Sequence, residues 1–270
     1  WFLLQDSVTT ASSAIRATVV FFGIPTNRIA AAALRLCRPT IFQNIATICW
    51  TTKMNNKPTV ILTCVFLAIA ARTAPTAHSI DKPNIVFIFA DDWGWGDLSC
   101  HGHPYVKTPN IDRLAKEGTD FHRFTVASGV CSPSRTAVMT GHFPARYNID
   151  GHFAWVPSNA KRNMPDWLSP QAPLLPAFLQ QSGYATAHFG KWHLSNNMIP
   201  DSPLPSEYGY DTYGAFNCAG EQMPVHEDSR HASAFIQKSH RDGKPFFVHL
   251  WLHEPHTPFH TVPKYRWRFR

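Results

Sequence analysis

No stretch of this 270-residue sequence reaches the roughly 18 consecutive apolar positions that a membrane-spanning helix needs; the longest apolar-rich run, residues 60–71, is too short to cross a bilayer comfortably. No Asn-x-Ser/Thr acceptor occurs, so N-glycosylation is not expected. The Gly-x-x-x-x-Gly-Lys phosphate loop is missing as well. A cysteine-phosphatase loop needs a longer span between its Cys and its Arg than the four positions from Cys131 to Arg135, because its backbone amides must encircle a phosphate. A zinc metalloprotease needs two His one helical turn apart, and His253-Glu254-Pro255-His256 is one residue short and carries a Pro that resists a helix. Strong charge of one sign is also lacking. The formal net charge is +7, but residues 1–53 hold +4 of it and residues 54–81 a further +1, which leaves +2 from Lys82 onward. A nearly neutral body argues against nucleic acid or another acidic polymer as partner.

The first methionine is Met54, and from there the sequence reads as a secretory signal. Lys57 supplies the positive start, residues 60–71 the apolar run, and Ala74 to Ser79 a zone of small residues suited to cleavage. The expectation is therefore a signal peptide at 54–79, with residues 1–53 read as upstream translated sequence to which no fold is assigned. No stable membrane insertion is expected after cleavage, and the route is the secretory pathway: secreted or lysosomal, or periplasmic in a bacterium. Of the six cysteines, Cys37, Cys49 and Cys64 precede the cleavage zone, and Cys100, Cys131 and Cys218 follow it. Three is an odd number in an oxidising compartment, so one is spare for something other than pairing. Whether Cys100 and Cys218 bridge is left open.

From Lys82 the pattern is that of an α/β protein with a mixed, mostly parallel sheet flanked by helices. Asn84 to Ala90 is a continuous apolar run rich in β-branched and aromatic residues, as expected of a strand buried on both faces. Asp91 and Asp92 follow at its carboxyl end, where open α/β sheets place ligands. Adjacent carboxylates suit a hard divalent cation, although a solvated turn beside Gly94 and Gly96 reads equally simply. Thr108-Pro109 opens a helix closed by Gly118, and Thr119 to Val126 is expected to be a strand. Cys131 then sits at the start of a short helix capped by Gly141, where orphan N–H groups and the helix dipole favour an anion. Residues 142–173, rich in Pro and carrying Phe153, Trp155 and Trp167, read as a substrate rim or a plain surface loop. A helix over 174–181, a strand over 184–189, a helix over 228–238 and a strand over 245–252 complete the series. Lys191 and His193 follow one strand end, and His253 and His256 the other.

Residues 129–141, Gly-Val-Cys-Ser-Pro-Ser-Arg-Thr-Ala-Val-Met-Thr-Gly, resemble the formylglycine signature of the sulfatases. Gly183-Tyr184-Ala185-Thr186 followed by Gly190-Lys191-Trp192-His193 resembles the second sulfatase signature, with Phe189 where a smaller residue is more usual. The resemblance covers about residues 82–270 and implies an alkaline-phosphatase-like core, of which residues 80–270 would be the N-terminal part of the catalytic domain. It implies that Cys131 is oxidised to formylglycine by a formylglycine-generating enzyme before folding, and that the hydrated aldehyde attacks the sulfur of an aryl or carbohydrate sulfate. Asp91, Asp92 and residue 131 would bind Ca²⁺. Arg135 and Lys191 would hold the negative charge, His193 would assist the diol proton, and His256, within the family's His-x-Pro pattern, would act as acid at the leaving oxygen. His253 is the alternative to His256.

The family also draws cation ligands from a later Asp-Asn-Gly segment and a second Lys, neither of which this sequence contains. Calcium takes about 6–8 oxygens, so the expectation is a C-terminally truncated chain that binds metal weakly and turns over little alone. The partner is expected to be a sulfated small molecule or glycan. The competing expectations are a phosphodiester or phosphonate hydrolase of the same superfamily, and a non-catalytic binding protein that keeps the shape.

Overall fold

Strand β3, Ile85–Asp91, alternates Phe87 and Phe89 toward one face with Val86 and Ile88 toward the other, and both faces are covered. That explains its unbroken apolar run. In the computed structural model the described residues are 2–10, 13–22, 82–220, 222–224 and 227–258; the expected signal peptide at 54–79 and Cys37, Cys49 and Cys64 lie outside them. Chain order within them is β1 (Phe2–Thr10), β2 (Ser13–Phe22), β3, helix α1 (Pro109–Glu117), β4 (Thr119–Asp120), α2 (Cys131–Thr140), α3 (Val156–Lys161), α4 (Leu175–Gln181), β5 (Ala185–Lys191), β6 (Thr212–Phe216), α5 (Asp228–Arg241) and β7 (Phe246–Pro255).

The seven strands form one sheet in the order β4-β1-β2-β3-β7-β5-β6. From β2 to β6 every neighbouring pair is parallel, and β1 joins β2 and β4 antiparallel. The mixed, mostly parallel sheet expected from the sequence is thus present. Because β3, β7 and β5 run the same way, the carboxyl ends that carry Asp91, His253 and Lys191 share one edge.

Phe89, Met139, Ile149, Phe153, Leu168, Trp192, Tyr208, Phe247 and Trp251 fill one face of the sheet, under α2 and the 142–173 segment. Val86, Ala187, Phe189, Val248 and Leu250 fill the other, against Ala232, Phe235 and Ile236 of α5. Each large side chain so buried contributes about 1.5–3 kcal/mol, and together they make the sheet edge a rigid support.

Residues 1–53, expected to be upstream sequence with no fold assigned, include 2–10 and 13–22, whose backbone forms a hairpin with its second strand paired parallel to β3, from Thr18↔Ile85 to Phe22↔Phe89. The β-branched and aromatic run Thr18-Val19-Val20-Phe21-Phe22 has the composition for that place. The expected strand 119–126 shrinks to Thr119–Asp120, because the register reaches the first residue of β1, Phe2, at Asp120 and finds no further partner on that strand. Strand β6 carries no strong signal: its five residues include Gly214, and its place is set by pairing with β5. Elsewhere the differences are of boundaries. β5 runs on to Lys191 and β7 to Pro255, so both deliver side chains to the edge directly.

Candidate active site

Helix α2 begins at Cys131 because Val130 is still extended while Ser134 already donates its backbone N–H to the Val130 carbonyl, 3.1 Å away. The Ser134 hydroxyl donates to Ser128 O at 2.6 Å and ties the incoming loop to the first turn. Gly141 adopts φ 68 and ends the helix with an N–H bond to Ala137 O. Eight of the ten helix residues are buried, so α2 is embedded in the core with its positive N-terminus at the sheet edge.

Asp91, the last residue of β3, is wholly buried between two cations. Arg135 donates from Nη2 to Oδ1 at 3.1 Å, and Lys191 Nζ donates to Oδ2. Burial alone would raise the Asp91 carboxyl, but Arg135 and Lys191 outweigh it and hold it below the usual carboxylate range. Arg135 is itself wholly buried; its guanidinium carbon lies 4.9 Å from the Trp251 ring centroid and 5.3 Å from that of Phe89, and its Nη1 reaches Lys191 O at 3.4 Å.

Gly190 makes this meeting of strands possible. Its φ is +101, and a Cβ there would stand 2.0 Å from Trp251 O in the neighbouring strand. Only glycine permits the close approach that turns Lys191 inward to Asp91.

His193, two residues on, also has positive φ, at 50. Its Nε2 lies 3.0 Å from the Phe153 carbonyl, which can only accept, so Nε2 carries the proton. Burial, reinforced by the Lys191 charge, pulls the imidazole down to about 3, so the ring is neutral. Nδ1 is therefore a bare acceptor, buried and with no hydrogen-bond partner. Phe153 O also accepts from Asn196 Nδ2 at 3.0 Å, and Phe153 N–H donates to Ser132 Oγ at 3.0 Å. One backbone unit in the 142–173 segment thus connects α2 to the loop after β5.

At the open side, His256 Nε2 lies 3.7 Å from Asp92 Oδ2, and its backbone N–H caps His253 O at 3.0 Å. Asp92 has φ 60, which swings it away from the buried position of Asp91. The His253 ring is 5.0 Å from that of His256 but packs against Phe216 and is nearly covered. Of the two histidines, His256 is the more accessible to a ligand.

Cys131 lies within the electrostatic reach of Lys191, Arg135 and Asp91. Burial raises its thiol in spite of the two cations, so an unmodified Cys131 is a poor thiolate. Asp91, Asp92, Cys131, Arg135, Lys191, His193 and His256 are thus gathered at one edge. Sequence patterns gave no individual site role to Ser132, His152, Asn196 or Trp251, nor to the backbone of Phe153. Phe153 acts through its backbone, which leaves no side-chain signal, and His152 sits in a segment without periodicity. Cys100 and Cys218 are both free thiols, so they do not bridge.

A divalent cation fits this site in donor type but not in donor number. The carboxylates of Asp91 and Asp92 are hard oxygen donors, and each oxygen of Asp91 already accepts one hydrogen bond, from Arg135 and from Lys191. Among the described residues no group of three or more His, Cys, Asp or Glu side chains could hold a metal ion.

The profile of the family described as Sulfatase matches residues 83–270. N-acetylgalactosamine-6-sulfatase of Mus musculus is 31% identical over 237 residues, 73% of this chain and 44% of the relative. Arylsulfatase H of Homo sapiens is 41% identical over 119 residues, 42% of this chain and 20% of the relative. Among solved structures, Ps i-CgsB in complex with k-i-k-neocarrahexaose superposes with a TM-score of 0.56 at 28% identity, covering 70% of this chain and 48% of that one. The chain spans less than half the length of these relatives. With the family profile matched over most of the chain, and a sulfatase relative that this chain meets over nearly three quarters of its length, the protein belongs to the sulfatase family.

Proposed function

We propose that the protein hydrolyses sulfate esters of sugars or aryl alcohols, with residue 131 acting as formylglycine after conversion of Cys131 in the secretory pathway. The observation that carries this reading is the surrounding of residue 131: two buried cations, the N-terminus of α2 and an unpartnered imidazole nitrogen. When present, formylglycine supplies a hydrated aldehyde as nucleophile, and Ca²⁺ would be held by Asp91, Asp92 and residue 131, with further oxygens needed beyond these.

The chain's own residues divide the remaining work. Lys191 and the N-terminal amides of α2 attract the sulfate and hold its charge. Arg135 keeps Asp91 and Lys191 in place from beneath, supported by Trp251. Nδ1 of His193, already stripped of its proton by the hydrogen bond on Nε2, accepts a proton from the group at residue 131. His256, held at the mouth beside Asp92, donates a proton to the departing alcohol oxygen.

The test is purification of the complete protein from a secretory host that has a formylglycine-generating enzyme. Mass spectrometry of the 124–135 tryptic peptide reports the state of residue 131, and turnover is compared on sulfate and phosphate esters. The expected result is a converted residue, faster sulfate than phosphate turnover, and loss of both in C131A. Full turnover with an unmodified thiol, or preference for phosphodiesters, would overturn the reading.

A further inference from the structure

The segment between α2 and α3 holds a histidine, His152, that no motif singles out, and the fold fixes its place with unusual care. Arg162 Nη2 donates to the His152 carbonyl at 2.8 Å, while its Nε donates to Ser158 O at 3.1 Å and anchors the guanidinium on α3. The next residue, Phe153, is wholly buried; its N–H is bound to Ser132 of α2, and its carbonyl to His193 and Asn196. Four side chains from three separate segments therefore hold two consecutive peptide units. The backbone of residue 152 has no freedom to leave the site.

The side chain so placed lies with its ring centroid 6.2 Å from that of His193. The Lys191 and His256 charges act on it, which places it on the same side of the sheet edge as the sulfate-binding groups. Among the described residues no hydrogen bond reaches its ring, and it is exposed, in contrast to buried His193. An imidazole on a fixed backbone, beside a reaction centre and open toward solvent, is free to bond a ligand. Partial burial, with the Arg162 and Lys191 charges adding to it, pushes its titration down, so near neutral pH it offers one N–H donor and one lone pair. That pairing matches an alcohol hydroxyl, which is itself donor and acceptor.

From this geometry we infer that His152 is a specificity-determining residue that hydrogen-bonds a hydroxyl of the leaving alcohol adjacent to the scissile ester, so that the site favours polyhydroxylated, sugar-like sulfates over aryl sulfates. The inference rests on the sulfate-ester reading and adds to it the class of alcohol. His256 serves the ester oxygen itself, whereas His152 contacts a group that does not react. Its contribution is then equal in ground state and transition state, which raises KM on removal and leaves kcat nearly unchanged.

The experiment uses the complete protein with residue 131 quantified as formylglycine. Wild type, H152A and H152N are compared on N-acetylgalactosamine 6-sulfate and on 4-nitrophenyl sulfate, which has no second hydroxyl. Expected is a loss of about 5- to 10-fold in kcat/KM for the sugar sulfate in H152A, mostly in KM, as one lost hydrogen bond gives. The aryl sulfate should change by less than about 2-fold, and H152N should recover part of the loss on the sugar. Equal losses on both esters would assign His152 a structural or general-acid role and overturn the inference, as would no loss on either. Binding of the desulfated sugar to wild type and H152A, followed by calorimetry, keeps the two readings apart. If the wild type cleaves no sulfate ester, the proposed function fails; weaker sugar binding by H152A would still support the contact, and unchanged binding would overturn it.

Discussion

Asp91 and Arg135 lie 3.1 Å apart, Oδ1 to Nη2, with neither side chain exposed to solvent. Lys191 takes the other oxygen, so one carboxylate balances two buried cations. Replacing Asp91 by Asn leaves both buried cations without a counter-charge. Breaking a buried pair of this kind costs about 3–5 kcal/mol, and D91N should lower the urea midpoint accordingly, with the slope unchanged. The half-exposed Asp92, which pairs with His256 at 3.7 Å, should cost less than about 1 kcal/mol as D92N. Because the Asp91 carboxyl is held below its ordinary value, its contribution is present above pH ~4 and is lost as pH falls through the folded value. D91N should remove that part of the acid dependence.

Gly190→Ala should be among the most damaging single-methyl changes in the chain. The added Cβ would meet Trp251 O at 2.0 Å, and φ +101 is strained for any side chain. The clash is with the backbone of the paired neighbouring strand, so β5 and β7 must separate there to accommodate it. The expected outcome is failure to fold or a loss of more than about 3 kcal/mol, an effect of the size reserved for strained or overpacked sites. Gly96→Ala is the control, since a Cβ there meets nothing within 4 Å; its thermal midpoint should stay within a few degrees.

Three histidines in and behind the site are buried in neutral form, and this sets a second pH dependence. His188 and His193 are drawn down to about 3 by burial, the first with Arg135 and the second with Lys191 adding to the effect, and burial draws His249 well down too. The unfolded chain takes up protons on all three near pH 6.5, while the folded chain does not. Stability is therefore full above about pH 6.5 and falls as pH drops, by up to about 1.4 kcal/mol per pH unit for each histidine. Urea midpoints measured from pH 7.5 to 4.5 should decline with a slope approaching three protons. H188L should lower that slope by about one proton, whatever it does to absolute stability; an unchanged slope would show that His188 titrates normally.

Much of this architecture is legible in the sequence, and the parts that are not have physical reasons. The unbroken apolar run before Asp91 reads as a doubly covered strand, and that is its environment. Pro109 and Gly141 mark helix ends because fixed φ and positive φ are local properties of single residues. Strand β6 is different: short and containing Gly214, it owes its state to β5, and the hairpin β1–β2 owes its place to pairing with β3 far away in the chain. At the site, Lys191 and His193 are visible by residue type, but the tautomer of His193 is not. It depends on the carbonyl of Phe153, 40 residues away, a backbone atom present in every residue. The same holds for Asp91, whose two counter-ions come from positions 44 and 100 residues further on.

The Ser132 hydroxyl turns that last point into a prediction about turnover. It is wholly buried and accepts the Phe153 N–H at 3.0 Å, so it fixes the peptide whose carbonyl holds the His193 proton. Ser132→Ala leaves that N–H buried and unpaired, at a cost of about 1–3 kcal/mol. The peptide can regain a partner only by rotating, and rotation releases Nε2 of His193. With the tautomer no longer imposed, Nδ1 is a proton acceptor for only part of the time, and kcat should fall roughly 10-fold while KM changes little. The measurement needs the fraction of converted residue 131 determined on the same sample, so that impaired maturation is not counted as impaired chemistry. A kcat per converted site equal to wild type would show that the Phe153 carbonyl holds its place without Ser132, and that the tautomer is set elsewhere.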